Sequence, residues 1–381
     1  MAQRTVSNMK VMTIVGTRPE IIKLSRVIAA LDSKVRHVLV HTGQNFDYEL
    51  NDIFFEQLEL RKPDRFLRSA GKTAAETIGN VIARADRVMA KERPDALLFL
   101  GDTNSCLAAI AAKRRRIPIF HMEAGNRCFD ERVPEEVNRR IVDHVSDINL
   151  PYTEHARRYL LQEGIRPETV IKTGSPMNEV LAYYEPGIAA SRVLDTLRVD
   201  PRGYFLVSAH REENIDDPEN LRDLLATLDA LVKRYRKRVI VSTHPRTRKK
   251  LATLDRKTLP AKVEFLKPLG FLDYVKLQTH ACCVLSDSGT LTEESALLAF
   301  PAVMIRQAHE RPEGMDEGTL VMSGLDPQKV LAAVEATRGD YARWERPFRV
   351  PRDYEVDNVS RKVVRLILSY TDYVNRTVWC K

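Results

Sequence analysis

The fold of this 381-residue chain is decided by the stretch ALLFLGD at residues 96–102. Five apolar residues run without a break into a glycine and then into Asp102. An uninterrupted apolar run of this length is typical of a strand that is buried on both faces of a parallel sheet. The next such run, IPIF at residues 117–120, leads into His121 and Glu123. Both carboxylates are therefore predicted just beyond the carboxyl ends of strands, where open parallel sheets bind ligands.

Similar apolar runs alternate with amphipathic segments along the whole chain. Helical spacing of apolar residues covers Ile21–Leu31, Glu76–Lys91 and Leu221–Tyr235. This alternation predicts an α/β fold with two successive sheets. The predicted strands are Val11–Val15, His37–Val40, Ala96–Leu100, Ile117–Phe120, Val170–Lys172, Tyr204–Ser208, Val239–Ser242, Val263–Leu266, Cys283–Ser286 and Ala302–Ile305.

The chain is too long for one ordinary core, so two domains are expected. The cluster TGSP at residues 173–176 contains strong breakers and marks the predicted boundary. The domains are predicted at 9–175 and 176–352, followed by a C-terminal segment at 353–381. In that segment Arg361–Tyr370 is predicted to be a helix, with Val363, Val364, Ile367 and Leu368 on one face.

The formal charge of +8 could suit nucleic acid, a membrane surface or an anionic metabolite. Basic residues cluster at 113–116, 233–238 and 246–250. The first two clusters lie at the ends of predicted helices, where cations complement the helix dipole, and no nucleic-acid motif accompanies the clusters. No apolar run is long enough to cross a bilayer, and residues 1–8 lack a signal-peptide core, so a cytoplasmic protein is expected. The five cysteines match no zinc or redox spacing, and Cys282 and Cys283 are predicted to be buried and reduced.

Two segments of the first half supply candidate ligand-binding residues. The stretch GTRPE at residues 16–20 joins the first strand to a helix, which places Arg18 and Lys23 near the sheet edge. The alternative is that Arg18 and Lys23 are surface cations of an ordinary capped helix. It lacks the G-x-G-x-x-G pattern, so no nicotinamide cofactor is expected. His121 and Glu123 lack a third ligand with suitable spacing, so no metal is expected.

Pro134 suits the first position of a helix and would place Glu135 in its first turn. Asp102, Glu123 and Glu135 are then candidate acid and base groups. The alternative for Glu135 and Arg139 is an intrahelical ion-pair ladder of small energetic value. The predicted buried face is Val137, Ile141 and Val145, and another face carries Glu135, Arg139 and Asp143.

The second half carries a candidate anion site. SDSGT at residues 286–290 follows a strand and opens a helix, whose free amides bind phosphate when they are not simply capped. Ser288 and Thr290 could add hydroxyl donors, and a carboxylate in the first turn could hold a ribose. His210 leaves another strand, flanked by charges, and is expected to face the same ligand.

Together these segments resemble the non-hydrolysing UDP-N-acetylglucosamine 2-epimerase family over nearly the whole chain. The resemblance implies a GT-B fold, in which two Rossmann-like domains flank a central cleft and a C-terminal helix packs back on the first domain. It also implies anti-elimination of UDP across C1 and C2 and its re-addition with the opposite C2 configuration. The motifs are GTRPE at 16–20, GDT at 101–103, HMEAG at 121–125, PEEVNR at 134–139, HREEN at 210–214 and SDSG at 286–289.

The resemblance assigns a role to each candidate residue. Asp102, Glu123 and Glu135 become the acid and base groups, and His210 assists at the diphosphate. No cofactor is implied, and a homodimer is expected. The remaining implied contacts are Arg18, Lys23 and Arg139 to substrate, Ser288, Gly289, Thr290 and Arg311 to phosphate, Glu294 to the ribose, and Tyr274 near uracil.

The loop TGQNFDYE at residues 42–49 departs from the common family pattern. Bacterial members carry Gln-His there, and in several a second UDP-N-acetylglucosamine binds as activator. Here Asn45 follows Gln44, which weighs against such activation.

This loop, with residues 21–25 and 126–130, resembles the branch that converts UDP-2-acetamido-2,6-dideoxy-L-talose to UDP-N-acetyl-L-fucosamine for capsule or O-antigen. The alternatives are a UDP-N-acetylglucosamine 2-epimerase that makes UDP-N-acetylmannosamine, a GT-B glycosyltransferase, which would need an acceptor, and a nucleic-acid-binding protein.

Overall fold

A computed structural model describes residues 8–44, 54–243, 245–252, 259–260 and 262–381 of the chain. The chain divides into two compact units, one of residues 1–183 with 352–381 and the other of residues 184–351. Each unit contains a six-stranded sheet in which every recorded pairing is parallel. The predicted α/β class with two successive sheets is confirmed.

The sheet of the first unit has the order β3-β2-β1-β4-β5-β6. Strand β4 is buried along its whole length, as its continuous apolar sequence predicts. The strands are β1 Lys10–Val15, β2 Arg36–His41, β3 Arg65–Phe66, β4 Ala96–Leu100, β5 Ile119–Met122 and β6 Ile148–Leu150. The α-helices are Arg18–Lys34, Ala74–Glu92, Ala109–Arg114, Pro134–Val145, Glu154–Gln162 and Val359–Thr377, and the 3₁₀ turns are Asn104–Ala108, Pro167–Thr169 and Arg352–Tyr354. The helix Met177–Ala190 contains the division between the two units, after Tyr183.

The sheet of the second unit has the order β12-β11-β10-β7-β8-β9. Cys282 and Cys283 are buried and unbridged at the start of β10, as predicted. The strands are β7 Tyr204–Ser208, β8 Arg238–Ser242, β9 Val263–Leu266, β10 Cys283–Ser286, β11 Ala302–Met304 and β12 Val321–Met322. The helices are Val193–Leu197, Glu212–Ile215, Pro218–Tyr235, Pro245–Leu251, Phe271–His280, Thr290–Leu298, Pro312–Asp316 and Pro327–Arg343.

The predicted strand Val170–Lys172 is wrong. Only Val170 forms a bridge, to Asn149, and the sheet edge is instead built by β6, which the sequence prediction missed. The 3₁₀ turn Pro167–Thr169 occupies the residues directly before Val170, so those residues are not extended and cannot pair with β6. The short strands β3 and β12 were also missed, because two residues give no recognisable period.

The division of the chain falls after Tyr183, whereas the sequence boundary was placed after residue 175. The intervening residues belong to the first unit because they are tied to its C-terminal segment. Asp353 accepts the amide of Ser175 through its carbonyl at 2.9 Å, and Glu179 accepts the amide of Ser360 at 2.8 Å. Polar contacts of this kind between distant segments cannot be read from local sequence.

The C-terminal helix Val359–Thr377 packs against the helix Arg18–Lys34 within the first unit. Its predicted face is correct for Val363, Val364 and Ile367, which are buried, and wrong for Leu368, which is exposed. Within the parts of the chain that the structure describes, no helix combines the length and the apolar character needed to span a bilayer.

Candidate active site

The loops at the carboxyl end of the first sheet carry the predicted carboxylates. Gly101 and Glu123 follow β4 and β5 with φ of +77° and +62°, in the left-handed region that turns a chain sharply. These turns direct Asp102 and Glu123 away from the buried strands at the ends of adjacent, hydrogen-bonded strands. The sheet topology therefore brings the two loops side by side, as the sequence predicted.

Asp102 is held by an arginine through one of its two oxygens. Arg139 donates to Oδ2 of Asp102 from Nε at 3.1 Å and from Nη2 at 2.7 Å. Within the described residues, no donor to Oδ1 is recorded, and the Asp102 side chain is 25% exposed. An oriented carboxylate with one open oxygen is suited to accept a proton from a bound ligand.

Arg139 is in turn fixed by a carboxylate that the sequence prediction missed. Its Nη1 donates to Oε2 of Glu136 at 2.8 Å, and the Glu136 side chain is fully buried. Glu136 also accepts the backbone amide of Cys128 at 3.0 Å. The side-chain amide of Asn138 donates to the backbone carbonyl of Asp102 at 2.9 Å. Two residues of the helix Pro134–Val145, Asn138 and Arg139, are therefore hydrogen-bonded to the loop after β4.

The predicted burial of this helix is wrong at two positions. Val137 and Ile141 are 49% and 37% exposed, whereas the helix buries a largely polar face. Paired and hydrogen-bonded polar groups can be buried in place of apolar ones when they satisfy one another. The buried positions are Glu136, Asn138, Arg139, Val142 and Asp143.

Glu123 is paired with Lys23. The Nζ of Lys23 lies 2.6 Å from Oε2 of Glu123, and the two side chains are only 5% and 11% exposed. Asn126 lies 3.5 Å from the other oxygen of Glu123. The two predicted residues therefore meet inside the first unit, with the cation beside a candidate acid or base.

A further buried carboxylate, Glu20, lies below these loops and was not predicted. It accepts the backbone amides of Gly16 and Thr17 and the hydroxyls of Thr103 and Ser105. Burial raises the pKa of Glu20, although these four bonds oppose the shift. Glu20 thereby ties the loop after β1 to the loop that carries Asp102.

Glu135 and Arg18 lie at the starts of their helices, as predicted. Glu135 is half-buried in the first turn of the helix that also presents Arg139. The guanidinium of Arg18 is half-buried, with its carbon 5.4 Å from the centre of the Phe54 ring. Asn45 lies outside the described residues.

In the second unit, His210 and Asp287 leave the adjacent strands β7 and β10 together. Oδ1 of Asp287 lies 3.0 Å from Nδ1 of His210. Oδ2 of Asp287 accepts the amides of His210 and Arg211, both at 2.9 Å, and the side-chain amide of Asn214 at 3.1 Å. Burial raises the pKa of Asp287, but the His210 ring and the two amides outweigh it and hold the pKa well below its usual range. Asp287 therefore orients His210, whose side chain is 34% exposed.

The helix Thr290–Leu298 begins directly after this pair. The hydroxyls of Ser288 and Thr290 lie 2.9 Å apart, and Gly289 is the residue that precedes the helix. All three are half-buried. Free amides and two hydroxyls at the start of a helix can bind an anion such as phosphate.

The predicted polar ligands of this unit are engaged with partners inside it. Nη2 of Arg311 lies 3.0 Å from Oε2 of Glu293, and both side chains are buried. Gln278 donates to Glu294 at 2.6 Å. Burial raises the pKa of Tyr274, and Glu294 adds to the shift. Among the described residues, no group of three or more histidines, cysteines or carboxylates is arranged to hold a metal ion.

The sequence profile of the family described as UDP-N-acetylglucosamine 2-epimerase matches residues 29–368. The chain belongs to this family. A solved UDP-N-acetylglucosamine 2-epimerase of Rickettsia bellii is 54% identical, with a TM-score of 0.92 over 98% of this chain and 100% of the other. The Methanocaldococcus jannaschii UDP-GlcNAc 2-epimerase, solved with UDP-GlcNAc and UDP, is 32% identical, with a TM-score of 0.88 over 95% and 100% of the two chains.

A relative with a different named sugar also matches. The UDP-2,3-diacetamido-2,3-dideoxy-D-glucuronate 2-epimerase of Pseudomonas aeruginosa is 34% identical over 87% of this chain and 93% of its own length. As a member of the epimerase family, the chain is an isomerase with a GT-B-like fold, which confirms the predictions of enzyme class and fold. Its activity is that of a UDP-sugar 2-epimerase.

Proposed function

We propose that the chain inverts C2 of a UDP-2-acetamido sugar by eliminating UDP and adding it back. One observation carries the proposal. Asp102 is a carboxylate fixed by Arg139 through Oδ2, and the paired Lys23 and Glu123 stand at the end of the adjacent strand. A reaction that moves a proton to and from carbon needs oriented acid and base groups of this kind.

The reaction balances without a cofactor. A carboxylate of the first unit accepts the proton from C2, the C1–O bond breaks, and its electron pair leaves with UDP, so that C1 and C2 are joined by a double bond. In the reverse sense, UDP attacks C1 and a proton is delivered to the opposite face of C2. Asp102, Glu123 and Glu135 are the proposed acid and base groups, and Arg139 keeps Asp102 in one orientation.

The second unit is proposed to hold the UDP group. The start of the helix Thr290–Leu298 offers amides and the hydroxyls of Ser288 and Thr290 to a phosphate, and Gly289 lets the phosphate approach the backbone. Arg311 adds positive charge, as Arg18 and Lys23 do in the first unit, and His210 is proposed to contact the diphosphate. Glu294 is proposed to hold the ribose and Tyr274 to lie near the uracil.

For the sugar, we propose UDP-2-acetamido-2,6-dideoxy-L-talose, converted to UDP-N-acetyl-L-fucosamine for capsule or O-antigen in the cytoplasm. The support is the sequence of three segments, 21–25, 42–49 and 126–130. UDP-N-acetylglucosamine is the second candidate, because the Rickettsia bellii and Methanocaldococcus jannaschii proteins are named for it. The proposed functional molecule is a homodimer, which sedimentation velocity would test.

The decisive experiment is incubation with each candidate UDP-sugar in deuterated water, followed by NMR of C2. We expect one deuterium at C2 of the product, because a carboxylate base exchanges its proton with solvent before the return step. A fully protonated C2 after turnover would contradict this mechanism. Turnover without any acceptor excludes a glycosyltransferase, and the relative rates of the two sugars identify the substrate.

A further inference from the structure

A buried histidine, His121, links the two loops that carry the proposed acid and base groups. Its Nε2 lies 2.7 Å from the carbonyl oxygen of Gly101, the residue before Asp102. Its Nδ1 lies 2.9 Å from Oδ1 of Asp143, on the helix Pro134–Val145. The side chains of His121 and Asp143 are both fully buried. His121 lies in β5, two residues before Glu123.

Asp143 completes the link to the second loop. Its carboxylate accepts the amide of Gly125 at 3.1 Å, within the turn that begins at Glu123. It also accepts from Nη1 of Arg127 at 2.7 Å. Arg127 also donates from Nε to the carboxylate of Glu163 at 2.7 Å. His121 and Arg127 thus form one connected network with the carboxylates of Asp143 and Glu163.

The partners of His121 fix its protonation state. A backbone carbonyl only accepts, so Nε2 carries a hydrogen. Asp143 accepts from an arginine and a backbone amide, which favours its ionised form, and a carboxylate 2.9 Å from Nδ1 attracts a hydrogen there by its charge. Burial lowers the pKa of His121, but Asp143 and the Gly101 carbonyl outweigh it and raise the pKa. Burial raises the pKa of Asp143, but His121 and Arg127 outweigh it and lower the pKa.

The directions of these two pKa shifts define the pH range in which the pair of His121 and Asp143 stabilises the fold. The contribution of His121, whose pKa is raised, is complete below its unfolded pKa and is lost as pH rises through the folded value. The contribution of Asp143, whose pKa is lowered, is present above its unfolded pKa and is lost as pH falls through the folded value. The pair therefore keeps both charges across the interval between the two folded pKa values.

We propose that His121 is a positioning residue that stays doubly protonated and sets the spacing of the loops that carry Asp102 and Glu123. This inference rests on the proposed function for its effect on rate, but not for its protonation state. The charged groups around His121 are Asp143 from the helix Pro134–Val145, Asp102 from the loop after β4, and Arg127 on the other side of Asp143. The carboxylates of Asp143 and Asp102 both raise the pKa of His121.

Two substitutions separate the two links of the ring. His121→Asn can keep a donor near the Nδ1 position and loses the bond to Gly101, whereas His121→Gln can keep a donor near the Nε2 position and loses Asp143. Both remove the charge. The matched control is His280→Asn, which changes a histidine at the end of the helix Phe271–His280 in the second unit, where its Nδ1 lies near Thr279 and the carbonyl of Lys276.

We expect both variants to lose about 10–100-fold in kcat, because a small displacement of positioned groups is costly. KM should change little, because the residues that hold the UDP group are untouched. A purely structural role predicts a lower thermal midpoint with kcat unchanged in the folded enzyme, and that result would overturn the proposal. If neither variant folds, Asp143→Asn is measured in the same way.

A second measurement needs no activity. Histidine-selective ¹⁵N labelling of the whole wild-type chain, with His121→Gln to assign the signal, reports the protonation of both ring nitrogens. We expect His121 to show two protonated nitrogens at about pH 7, above the ordinary pKa of a histidine, where a free imidazole is mostly neutral. A neutral tautomer at this pH would overturn the proposal even if the enzyme turns over. If no UDP-sugar is turned over, the proposed function fails while the protonation state is still decided.

Discussion

The carboxyl ends of the two sheets differ in chemistry although both sheets are six-stranded and parallel. In the first unit they carry Asp102, which is 25% exposed and held by Arg139, and Glu123, which is nearly buried beside Lys23. In the second unit the corresponding aspartate, Asp287, is fully buried: three donors bond to its Oδ2, and the ring of His210 lies 3.0 Å from its Oδ1. The same residue type is therefore a candidate base at one edge and a structural anchor at the other.

This contrast shows that a carboxylate at a strand end is not defined by its position alone. What matters is how far the carboxylate is buried and how many groups surround it. Asp102 is 25% exposed and is held by one arginine, whereas Asp287 is fully buried among two backbone amides, Asn214 and the ring of His210. The first unit is thus equipped for proton transfer and the second for anion binding, where it presents amides, hydroxyls and buried arginines.

The largest effect is expected for Asp102→Asn, which keeps the size of the side chain and removes the proton acceptor. Turnover should fall by about 10⁴-fold, toward the upper end for a positioned base, with little change in the thermal midpoint. The midpoint should hold because Arg139 keeps Glu136 as a partner. The control is Asp86→Asn, which removes a more exposed partner of Arg115. Equal activity of the two variants would place Asp102 outside the mechanism.

The next effect tests the second unit. Arg311→Ala leaves Glu293 buried without the cation that lies 3.0 Å away, and should lower the free energy of unfolding by about 3–5 kcal/mol. Arg238→Ala is the matched control, since Arg238 pairs with a half-exposed Glu264, and should cost no more than about 1 kcal/mol. Chemical denaturation of both variants measures the difference. Equal losses would show that burial does not distinguish the two pairs.

Glu135→Gln comes third and returns to the first unit. Turnover should fall by about 10²-fold, at the lower end for a positioned group, because Glu135 is half-buried and water can partly replace it. The stability should change by only a few tenths of a kcal/mol, about the value of an ion pair within a helix. Glu131→Gln, at an exposed carboxylate nearby, serves as the control. Turnover near wild type would leave Glu135 a helix-surface residue.

The smallest effect is expected for Ser288→Ala at the start of the helix Thr290–Leu298. Affinity for UDP, measured by calorimetry, should fall by about tenfold, the value of one hydrogen bond to a charged group. The Thr290 hydroxyl and the helix amides remain, which limits the loss. Thr196→Ala, at an exposed hydroxyl of the same unit, should leave the affinity unchanged. If both variants bind UDP as the wild type does, the phosphate is held elsewhere.

The amino-acid sequence determined the fold class and the strands with long apolar runs. Runs such as those in β4, β7 and β10 can only be satisfied by burial on both faces, so local composition is enough to predict them. It also determined that Asp102, Glu123, His210 and Ser288 follow strand ends, because a strand end is a local feature. Membership of the epimerase family followed from these motifs in order.

Only the tertiary structure decided which partner each side chain has. Lys23 meets Glu123, Arg139 meets Asp102 and Glu136, and Arg311 meets Glu293 across distances in sequence that no periodicity encodes. The helix Pro134–Val145 shows the physical reason. An apolar stripe predicted its buried face, yet the energy of paired charges and satisfied hydrogen bonds turned Glu136, Arg139 and Asp143 inward and left Val137 and Ile141 exposed. Hydrophobic patterning is a local property, whereas the satisfaction of buried polar groups depends on neighbours that only the fold supplies.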